Sequence, residues 1–588
     1  MPLDEVEPGM VGVGITVFEG STREEFEVHI LGVLTNVMGP RRNLIVARLE
    51  GGPLADTGVI QGMSGSPVYI DGRLVGAVSY SLGSFSKEAI AGITPIDEMM
   101  ATDAAPLPSA RNRSVAIQFA ATRSQLPDIA GQTLTGLQPF ADRTIDIHAA
   151  GIPTAEAAQL GTLLRPIATP LVLNGFVPEI HSLWSSMLNQ AGFITMIGGA
   201  SGAVATQAPG TVSLEPGDPI GVTLMRGDLT IAGTGTVTLV EDGRVFAFGH
   251  PFYNLGHAQF PMNRAHVTTL LPSVAISSRI AAIGEVLGTI DQDRSTGIYG
   301  TLGPGPPMVP VTVTLSAADR TLNERFEFEI IDDALFTPLL TYTGVLNTFF
   351  SWTREVGAST YEVVSVARLS GLENVRSRNV FTGDTAGISA ALSTAAPLTA
   401  LLTNTFEPVD LERVDITITS HENPRVATLQ RVWVDTDRPR AGDTIPVKIT
   451  SRTAAGNDLL HTVEVTLPRH ITGPVQLLVA DASVLLQREA QAGRQPQQAR
   501  SLAQLVRALN ATRQNDRLYV QLLSAQPGAV VRGTPLTALP PTVLAVIEGD
   551  RQSGEVVRLQ QATLGEWEVA TDHVVSGSRT LTFTIEAG

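Results

Sequence analysis

The chain has 588 residues, of which 43% are hydrophobic, 16% charged and 5% aromatic, with 55 glycines and 37 prolines. At roughly 150 residues per domain this length predicts about four domains, and the turn-rich composition is typical of a mainly β protein and excludes a wholly disordered chain. A net charge of −17 without clusters of Lys and Arg argues against a nucleic-acid partner, and the absence of cysteine excludes disulfides, thiolate nucleophiles and zinc–thiolate sites.

Membrane and export signals are missing from the sequence pattern. No apolar run reaches the roughly 18 residues of a membrane-spanning helix, so none is predicted. The start, Met1 to Asp4, lacks the pattern of a signal peptide. We therefore expect either a cytosolic protein or a mature form that has lost its export signal.

The N-terminal part predicts a serine-bearing β-barrel over residues 1–105, followed by a linker near 102–114. Its strands are predicted at 12–18, 25–34, 44–49, 67–70 and 74–80. The dipeptide Asp71-Gly72 between the last two is a strong hairpin signal, because both residue types tolerate a positive φ.

The next two predicted regions are a mixed α/β insertion and a second barrel. The insertion, 106–210, has helical spacing at 155–164 and 179–190 and a small, flexible stretch at 198–210. The second barrel, 211–310, has strands at 220–225, 229–239 and 244–248.

The rest of the chain predicts three further regions. A β-rich extension covers 311–404, with long strands within 307–370 and a helix or connector at 383–404. An Ig-like sandwich is predicted over 405–480, from alternating strands at 414–419, 428–434, 444–450 and 462–467. The last region, 481–588, combines β segments with the best helical window, 484–513, which Gly493 and Pro496 interrupt.

One internal repeat connects the two predicted barrels. The tripeptide Glu-Pro-Gly occurs at 7–9 and again at 215–217, and each copy is followed at nearly the same offset by a strand. This is the pattern of two related barrels that each open on a first strand.

The segment most informative about chemistry is Gly62-Met63-Ser64-Gly65-Ser66-Pro67. Glycines on both sides of Ser64 permit a tight turn that exposes its hydroxyl, and the N–H groups of Gly62 and Ser64 could form an oxyanion hole. An α/β-hydrolase elbow would need a glycine two residues after the serine and then a helix. Here Ser66, Pro67 and a hairpin follow, so the arrangement resembles the chymotrypsin-like one. The bland alternative is a glycine-rich turn without chemistry.

The strand that follows the hairpin strengthens the chymotrypsin-like interpretation. Leu74 to Tyr80 resembles the strand that pairs with the substrate backbone in that fold. We therefore predict that Ser79, Tyr80 and Ser81 bind substrate as an added strand.

A serine nucleophile requires a base, and His250 is the predicted one among ten histidines. It follows a predicted strand in Gly249-His250-Pro251 and lies in the second copy of the repeat, whereas Ser64 lies in the first. The alternative is a structural histidine at a strand end. A metal site of His250, His257 and His266 is not expected, because their spacings of seven and nine residues do not place them on one helical face. No metal and no cofactor are predicted.

These motifs together resemble the stage IV sporulation protein B (SpoIVB) serine peptidase family. The matching pieces are Thr57–Pro67, then Gly76-Ala77-Val78, then Phe248-Gly249-His250, and Gly284–Gly300 is also similar. The resemblance implies a chymotrypsin-like double β-barrel and a serine endopeptidase with Ser64 as nucleophile and His250 as general base. It also implies protein or peptide substrates, self-cleavage in some members, and a location outside the cytoplasm.

The sequence departs from the family in two ways. In the sporulation proteins the histidine segment precedes the serine segment, whereas here Ser64 comes first, so the chain looks circularly permuted. Those proteins also carry a PDZ domain before the catalytic part, and no PDZ pattern is found here.

The third catalytic residue is left open by the sequence. The family's proposed acid falls near Glu50, with Asp56 close by, and Glu50 is preferred. A chymotrypsin-like layout instead places the acid after the histidine and favours Asp291 or Asp293. Each of these has the alternative of a solvated loop carboxylate.

Two hypotheses outside the enzyme class accompany the endopeptidase. One is a non-catalytic binding or scaffold protein on a degenerate protease fold, and the other is a carbohydrate-binding protein that uses the 405–480 sandwich. The oligomeric state, the substrate and the role of residues 311–588 are not specified by the sequence.

Overall fold

The computed structural model of the chain describes residues 1–37, 39–82, 87–101, 148–150, 164–188, 192–197, 214–318, 323–352, 359–383, 385–436, 438–491, 499–524, 528–531, 534–536, 539–549, 556–559 and 561–587. These residues form two compact units. The first is Met1–Val311 with Glu327–Asn347, and the second is Thr312–Phe326 with Thr348–Gly588.

Six strands at the N-terminus close into a barrel, which we call the first ring. They are β1 (Val11–Thr16), β2 (Glu24–Thr35), β3 (Leu44–Glu50), β4 (Pro67–Ile70), β5 (Arg73–Ser81) and β6 (Ile90–Pro95), with a 3-10 turn at Leu3–Glu5 and short helices α1 (Leu54–Thr57) and α2 (Ile96–Met100). All neighbours pair antiparallel in the order β1-β2-β3-β6-β5-β4, and β4 pairs with β1 to complete the ring.

Alternation of side chains explains why the first ring buries one face of each strand. Along β2, Phe26, Val28 and Ile30 are buried while Glu25 and Glu27 are exposed, as expected for a period of two. The predicted hairpin is confirmed, since Asp71 and Gly72 have φ of +49° and +72° and join β4 to β5.

The described part of the connection between the barrels contains four short strands and a helix. They are β7 (His148–Ala150), β8 (Arg165–Pro166), β9 (Thr169–Asn174), α3 (Pro178–Leu188) and β10 (Phe193–Ile197). The helix predicted at 179–190 corresponds to α3, on which Trp184 is buried. The predicted linker at 102–114, the flexible stretch at 198–210 and all but one residue of the helix predicted at 155–164 lie outside the described residues.

The second ring repeats the topology of the first. Its strands are β11 (Pro219–Gly227), β12 (Thr230–Glu241), β13 (Arg244–Ala247), β14 (Gly256–Leu271), β15 (Ser278–Arg294) and β16 (Gly297–Leu302). Their pairings run β11-β12-β13-β16-β15-β14 and back to β11, the same cyclic order as in the first ring. The Glu-Pro-Gly repeat precedes the first strand of each ring, and the chymotrypsin-like double-barrel fold is confirmed.

The segment after the second ring contains β17 (Met308–Ala317), β18 (Asn323–Ile331) and helix α4 (Phe336–Trp352). The two strands agree with the predicted ones. Helix α4 was not predicted, because only long strands were expected within 307–370. Its sequence is rich in Thr and Phe, which favour strands by propensity, but tertiary burial of most of its surface stabilises it as a helix.

The second unit contains the remaining strands and helices. They are β19 (Ser359–Leu369), β20 (Val375–Gly383), α5 (Ala386–Leu402), β21 (Leu411–His421), β22 (Val426–Val434), β23 (Thr444–Thr453), β24 (Asp458–Thr466), β25 (Gly473–Asp481), α6 (Ala482–Gln491), α7 (Leu502–Asn510), β26 (Arg517–Ser524), β27 (Gly528–Val531), β28 (Thr534–Leu536), α8 (Pro541–Gly549), β29 (Val556–Leu559), β30 (Ala562–Ala570), β31 (Val574–Ser576) and β32 (Ser578–Ile585). The helical window at 484–513 is two helices, α6 and α7, on either side of the predicted interruption.

A β-sandwich is the core of the second unit. One sheet has the order β24-β23-β22-β31 and the other β30-β26-β25-β32, and buried residues of both belong to one apolar cluster. Three of the strands predicted for a sandwich at 405–480 form the first sheet. The fourth, predicted at 414–419, is β21, which pairs with β19 instead, and the second sheet comes from residues 473–585. Alternation alone does not show which strands face each other.

Candidate active site

Ser64 lies in the loop between the third and fourth strands of the first ring. The flanking Gly62 and Gly65 have φ of +96° and +97°, a region that favours glycine. The loop is held on both sides, because the Gly65 N–H donates to the Val78 carbonyl at 2.7 Å and the Ser64 carbonyl accepts from the Thr236 N–H at 2.8 Å. The serine is thereby attached to β5 of its own ring and to β12 of the second.

Gly65 is required by space as well as by its backbone angle. A Cβ placed on it would lie 1.9 Å from the Thr236 carbonyl oxygen and 2.6 Å from the Phe248 nitrogen. No side chain fits there, so the second ring approaches the serine loop at backbone distance.

The N–H groups of Gly62 and Ser64 are oriented by the carbonyl that precedes each of them. The Gln61 carbonyl accepts from the Arg279 N–H at 3.0 Å, and the Met63 carbonyl accepts from the Ser66 N–H at 3.0 Å and from the Ser66 hydroxyl at 2.6 Å. In a planar trans peptide the N–H points away from the carbonyl, so each of these N–H groups points away from the hydrogen-bond partner of its own peptide carbonyl. Within the described part of the chain neither N–H has an acceptor.

A buried arginine that the sequence reasoning did not single out supports this turn. Arg279 is 1% exposed, and its guanidinium donates to the Gly62 carbonyl, to the Val17 carbonyl at 2.6 Å and to the Thr236 hydroxyl at 2.8 Å. Burial lowers its pKa to about 9, which leaves it charged at neutral pH. Its sequence signal is an arginine inside an otherwise small and apolar segment, Ala275–Ala282.

His250 lies in the loop between the third and fourth strands of the second ring, the position that Ser64 has in the first. Phe248 and Gly249 before it both have positive φ, +71° and +70°. The loop packs against the first ring: a Cβ on Gly249 would lie 2.9 Å from the Ser79 Cβ, and the Gly249 carbonyl accepts from the Thr94 hydroxyl at 2.7 Å.

The surroundings of His250 keep its ring neutral. The side chain is 2% exposed, and burial lowers its pKa to about 4, against an opposing contribution from its hydrogen bond to the Pro251 carbonyl. That bond joins Nδ1 to the carbonyl oxygen at 2.8 Å. Because a carbonyl only accepts, Nδ1 carries the hydrogen and Nε2 carries the lone pair. Among the described residues, Nε2 has no hydrogen-bond partner.

The two loops converge on consecutive residues of β5. The Ser64 loop bonds Val78 and the His250 loop packs on Ser79. Within the ranges that the structure describes, the buried Ser64 Oγ also has no hydrogen-bond partner, so the two groups are not bonded to each other in this state.

Asp293 is the carboxylate that holds the histidine loop. It is fully buried at the end of the fifth strand of the second ring, and it accepts the N–H groups of Phe252 at 2.8 Å, Tyr253 at 2.6 Å and Leu255 at 3.2 Å. It thus contacts the backbone just after His250, while the His250 Nδ1 bonds a carbonyl instead.

The other predicted acids have different surroundings. Glu50 is at the end of β3, half-exposed, with Arg48 at 2.9 Å and His29 at 3.7 Å as its partners. Asp291 accepts from the Thr301 hydroxyl at 2.7 Å, and Asp56 is exposed on α1. Neither ring nitrogen of His250 bonds a carboxylate.

Glu50 also belongs to a group of side chains that could hold a metal ion. Its carboxylate, that of Glu27 and the His29 ring offer ligand atoms within 4.8 Å of one another on the surface. Among the described residues, His250, His257 and His266 do not belong to such a group.

The predicted substrate-binding residues form the end of β5. Ser79 is buried and its hydroxyl contacts that of Thr94 at 2.7 Å, and Tyr80 and Ser81 continue the strand beyond the nucleophile loop. They pair with β6 on one side and with β8 on the other.

Comparison with known families gives a match over the ring that contains Ser64. Residues 3–100 match the family model of the SpoIVB peptidase S55. The resemblance expected from the motifs is therefore confirmed for this part of the chain, which contains Ser64 and ends well before His250. No curated protein and no solved structure significantly matches the chain. Among the described residues no helix is long and apolar enough to cross a membrane.

Proposed function

We propose that this protein is a serine endopeptidase of the SpoIVB type that cleaves protein or peptide substrates. One observation carries the proposal: Ser64 and His250 occupy equivalent loops of two rings with the same topology, and both loops meet at Val78 and Ser79. The S55 match over residues 3–100 supports the same reaction class.

In the proposed reaction Ser64 Oγ attacks the peptide carbonyl and His250 Nε2 accepts the hydroxyl proton. The developing oxyanion is bound by the N–H groups of Gly62 and Ser64, for which the described part of the chain offers no other acceptor. His250 then donates the proton to the leaving amine, and water hydrolyses the acyl-enzyme by the same route. The Pro251 carbonyl keeps the hydrogen on Nδ1, so that Nε2 is the basic nitrogen.

Beside Ser64 and His250 we propose Asp293 as a positioning residue, because its carboxylate accepts hydrogen bonds from three N–H groups of the histidine loop. Glu50 stays a prediction, whose present partners are Arg48 and His29. The variant Glu50→Gln tests it: a catalytic acid would lose at least a hundredfold in rate, whereas a surface ion pair would lose almost nothing.

The alternative function is a non-catalytic scaffold on a degenerate protease fold. The observation that favours it is the missing hydrogen bond between Ser64 and His250. Catalytic hydrogen bonds are often long without substrate, so this geometry is also compatible with an enzyme.

The deciding experiment is labelling of the full chain with a fluorophosphonate. The wild type is expected to become labelled at Ser64, and Ser64→Ala is expected to abolish labelling. Ser451→Ala is the matched control, since Ser451 is also fully buried with an unbonded hydroxyl but lies on β23 of the sandwich. If neither the wild type nor any other folded variant that retains Ser64 becomes labelled after prolonged incubation, the scaffold is supported.

We further propose an extracytoplasmic site of action, as the resemblance to the SpoIVB peptidases implies. Fractionation of cells that express the protein from its natural gene tests this location.

A further inference from the structure

The substrate-binding edge of β5 is occupied by the chain itself. Strand β8 pairs antiparallel with it, Pro166 opposite Tyr80 and Arg165 opposite Ser81. One residue further on, the Ile167 N–H donates to the Ser79 carbonyl at 2.9 Å.

The pattern of these bonds is that of a bound extended peptide. In an antiparallel pair, hydrogen-bonded and non-bonded residue pairs alternate. Pro166 has no N–H, so the pair it forms with Tyr80 is the non-bonded one, and Arg165 and Ser81 exchange both of their bonds. Segment 165–167 therefore makes the backbone contacts that a substrate would make by adding a strand to β5.

The same segment then passes the nucleophile loop. A Cβ placed on Gly62 would lie 3.2 Å from the Pro170 ring, so the chain runs within four residues from the Ser79 carbonyl to Gly62 of the nucleophile loop. The peptide bond between Ile167 and Ala168 lies along this path, where the bond to be cleaved in a substrate would lie.

The side chain of Ile167 also occupies an enclosed apolar site. It is fully buried and belongs to the same apolar cluster as Ile60 and Met63, which precede Ser64 in the chain. An aliphatic side chain next to the nucleophile loop is what a specificity pocket for an apolar residue would hold.

We propose that residues 165–167 are an internal pseudosubstrate, which blocks the peptidase site and occupies its specificity pocket with Ile167. This inference rests on the proposed function and adds its regulation and its substrate class: extended peptides with an aliphatic residue before the cleaved bond. It accounts for the burial of both Ser64 and His250, at 0% and 2% exposure.

The blocked state is favoured because the occupant is tethered. An intramolecular strand has an effective concentration in the millimolar range, so a free peptide competes poorly until the segment leaves β5. Loosening the segment should therefore expose the serine without altering the catalytic groups.

The test compares fluorophosphonate labelling rates of full-length variants. Ile167→Ala removes the buried anchor, and Arg165→Pro removes the N–H that bonds Ser81 while changing an exposed side chain. Each is expected to label Ser64 at least tenfold faster than the wild type, which corresponds to about 1.4 kcal/mol of weakened pairing. Leu173→Ala is the matched control, because Leu173 is equally buried on β9 but lies beyond the β5 edge.

The outcomes separate this inference from the proposed function. Ser64-dependent labelling at equal rates in the wild type and both variants overturns the pseudosubstrate and leaves the peptidase in place. An equal acceleration by Leu173→Ala also overturns it, since general loosening would then explain the effect. Labelling that is absent from every folded variant contradicts the peptidase itself.

A second readout tests the specificity. With Arg165→Pro, peptides with Ile or Val before the cleaved bond should be hydrolysed at least tenfold faster than otherwise identical peptides with Asp or Lys there. A preference for a charged residue would overturn the assignment of Ile167 to the specificity pocket.

Discussion

Gly65 and Gly72 offer a paired test of how closely the second ring approaches the serine loop. Both have positive φ, but a Cβ on Gly72 would have no neighbour within 4 Å, whereas on Gly65 it would lie 1.9 Å from the Thr236 carbonyl oxygen. Gly72→Ala thus adds only backbone strain, and Gly65→Ala adds strain and a collision.

The difference can be estimated from the contacts. An alanine at either position costs about 1–3 kcal/mol in strain. At Gly65 the backbone must also move by about 1.5 Å to reach an ordinary contact distance of 3.4 Å. That movement breaks the bonds from Gly65 to Val78 and from Thr236 to Ser64, which contribute about 1 kcal/mol each. We expect Gly65→Ala to lose about 3–5 kcal/mol of unfolding free energy, against about 1–3 kcal/mol for Gly72→Ala.

The rate of Ser64 labelling should separate the two variants more clearly than stability does. A displacement of about 1 Å at a reacting group costs roughly a hundredfold in rate. We therefore expect Gly65→Ala to label about a hundredfold more slowly than the wild type at a temperature where it is folded, and Gly72→Ala to label normally. Thermal unfolding followed by circular dichroism gives the stability comparison. Equal stability and equal labelling of the two variants would contradict the close approach of β12 to the serine loop.

Three further predictions concern groups around the site. Arg279→Met should lower kcat about tenfold to a hundredfold with little change in KM, because the Gly62 carbonyl loses its hydrogen bond to the guanidinium. Arg279→Lys should restore part of the rate. An unchanged kcat in a folded Arg279→Met protein would exclude a role of Arg279 in positioning the Gly62 turn. Asp293→Asn leaves N–H groups of the histidine loop without acceptors and should cost about 2–3 kcal/mol of stability together with most of the labelling rate, whereas a loss of stability alone would limit Asp293 to folding. Since burial lowers the pKa of His250, its ring should stay neutral as the pH falls from 6.5 and become protonated only near pH 4, which an NMR titration measures. Because the unfolded chain binds this proton at a higher pH, His250 lowers the free energy of unfolding as the pH falls below 6.5. A titration midpoint near 6.5 would contradict its burial.

Much of the architecture was predictable because it depends on local patterns. Alternating residues and the Asp71-Gly72 turn predicted five of the six strands of the first ring to within two residues at each end, and β6 was not among the predicted strands. Helix α4 was not predictable from local patterns, since its β-branched and aromatic residues favour a strand unless its burial on several sides is known. The sandwich was predicted over 405–480, but its strands extend to residue 585. Local patterns do not show this, because the pairing between β22 and β31 joins residues about 150 positions apart.

The candidate site divides in the same way. Ser64, its glycines and His250 were found from short motifs, since a tight turn needs glycine and a base needs histidine. Asp293 was only one of four candidate acids and Arg279 was not a candidate, because their contacts with the histidine loop and with Gly62 join residues 41 and 217 positions apart.

The amino-acid sequence was sufficient to specify a mainly β chain with a serine loop, a histidine loop and a repeat that marks two related barrels. These features depend on side-chain alternation, turn residues and spacing, which act over a few positions. Whether the site is open was a matter of tertiary structure, because the end of β5 that extends beyond β4 bonds whichever segment the fold brings beside it. In this protein that segment is Arg165 to Ile167, and its place beside Ser79 follows from packing between parts of the chain that are far apart in sequence.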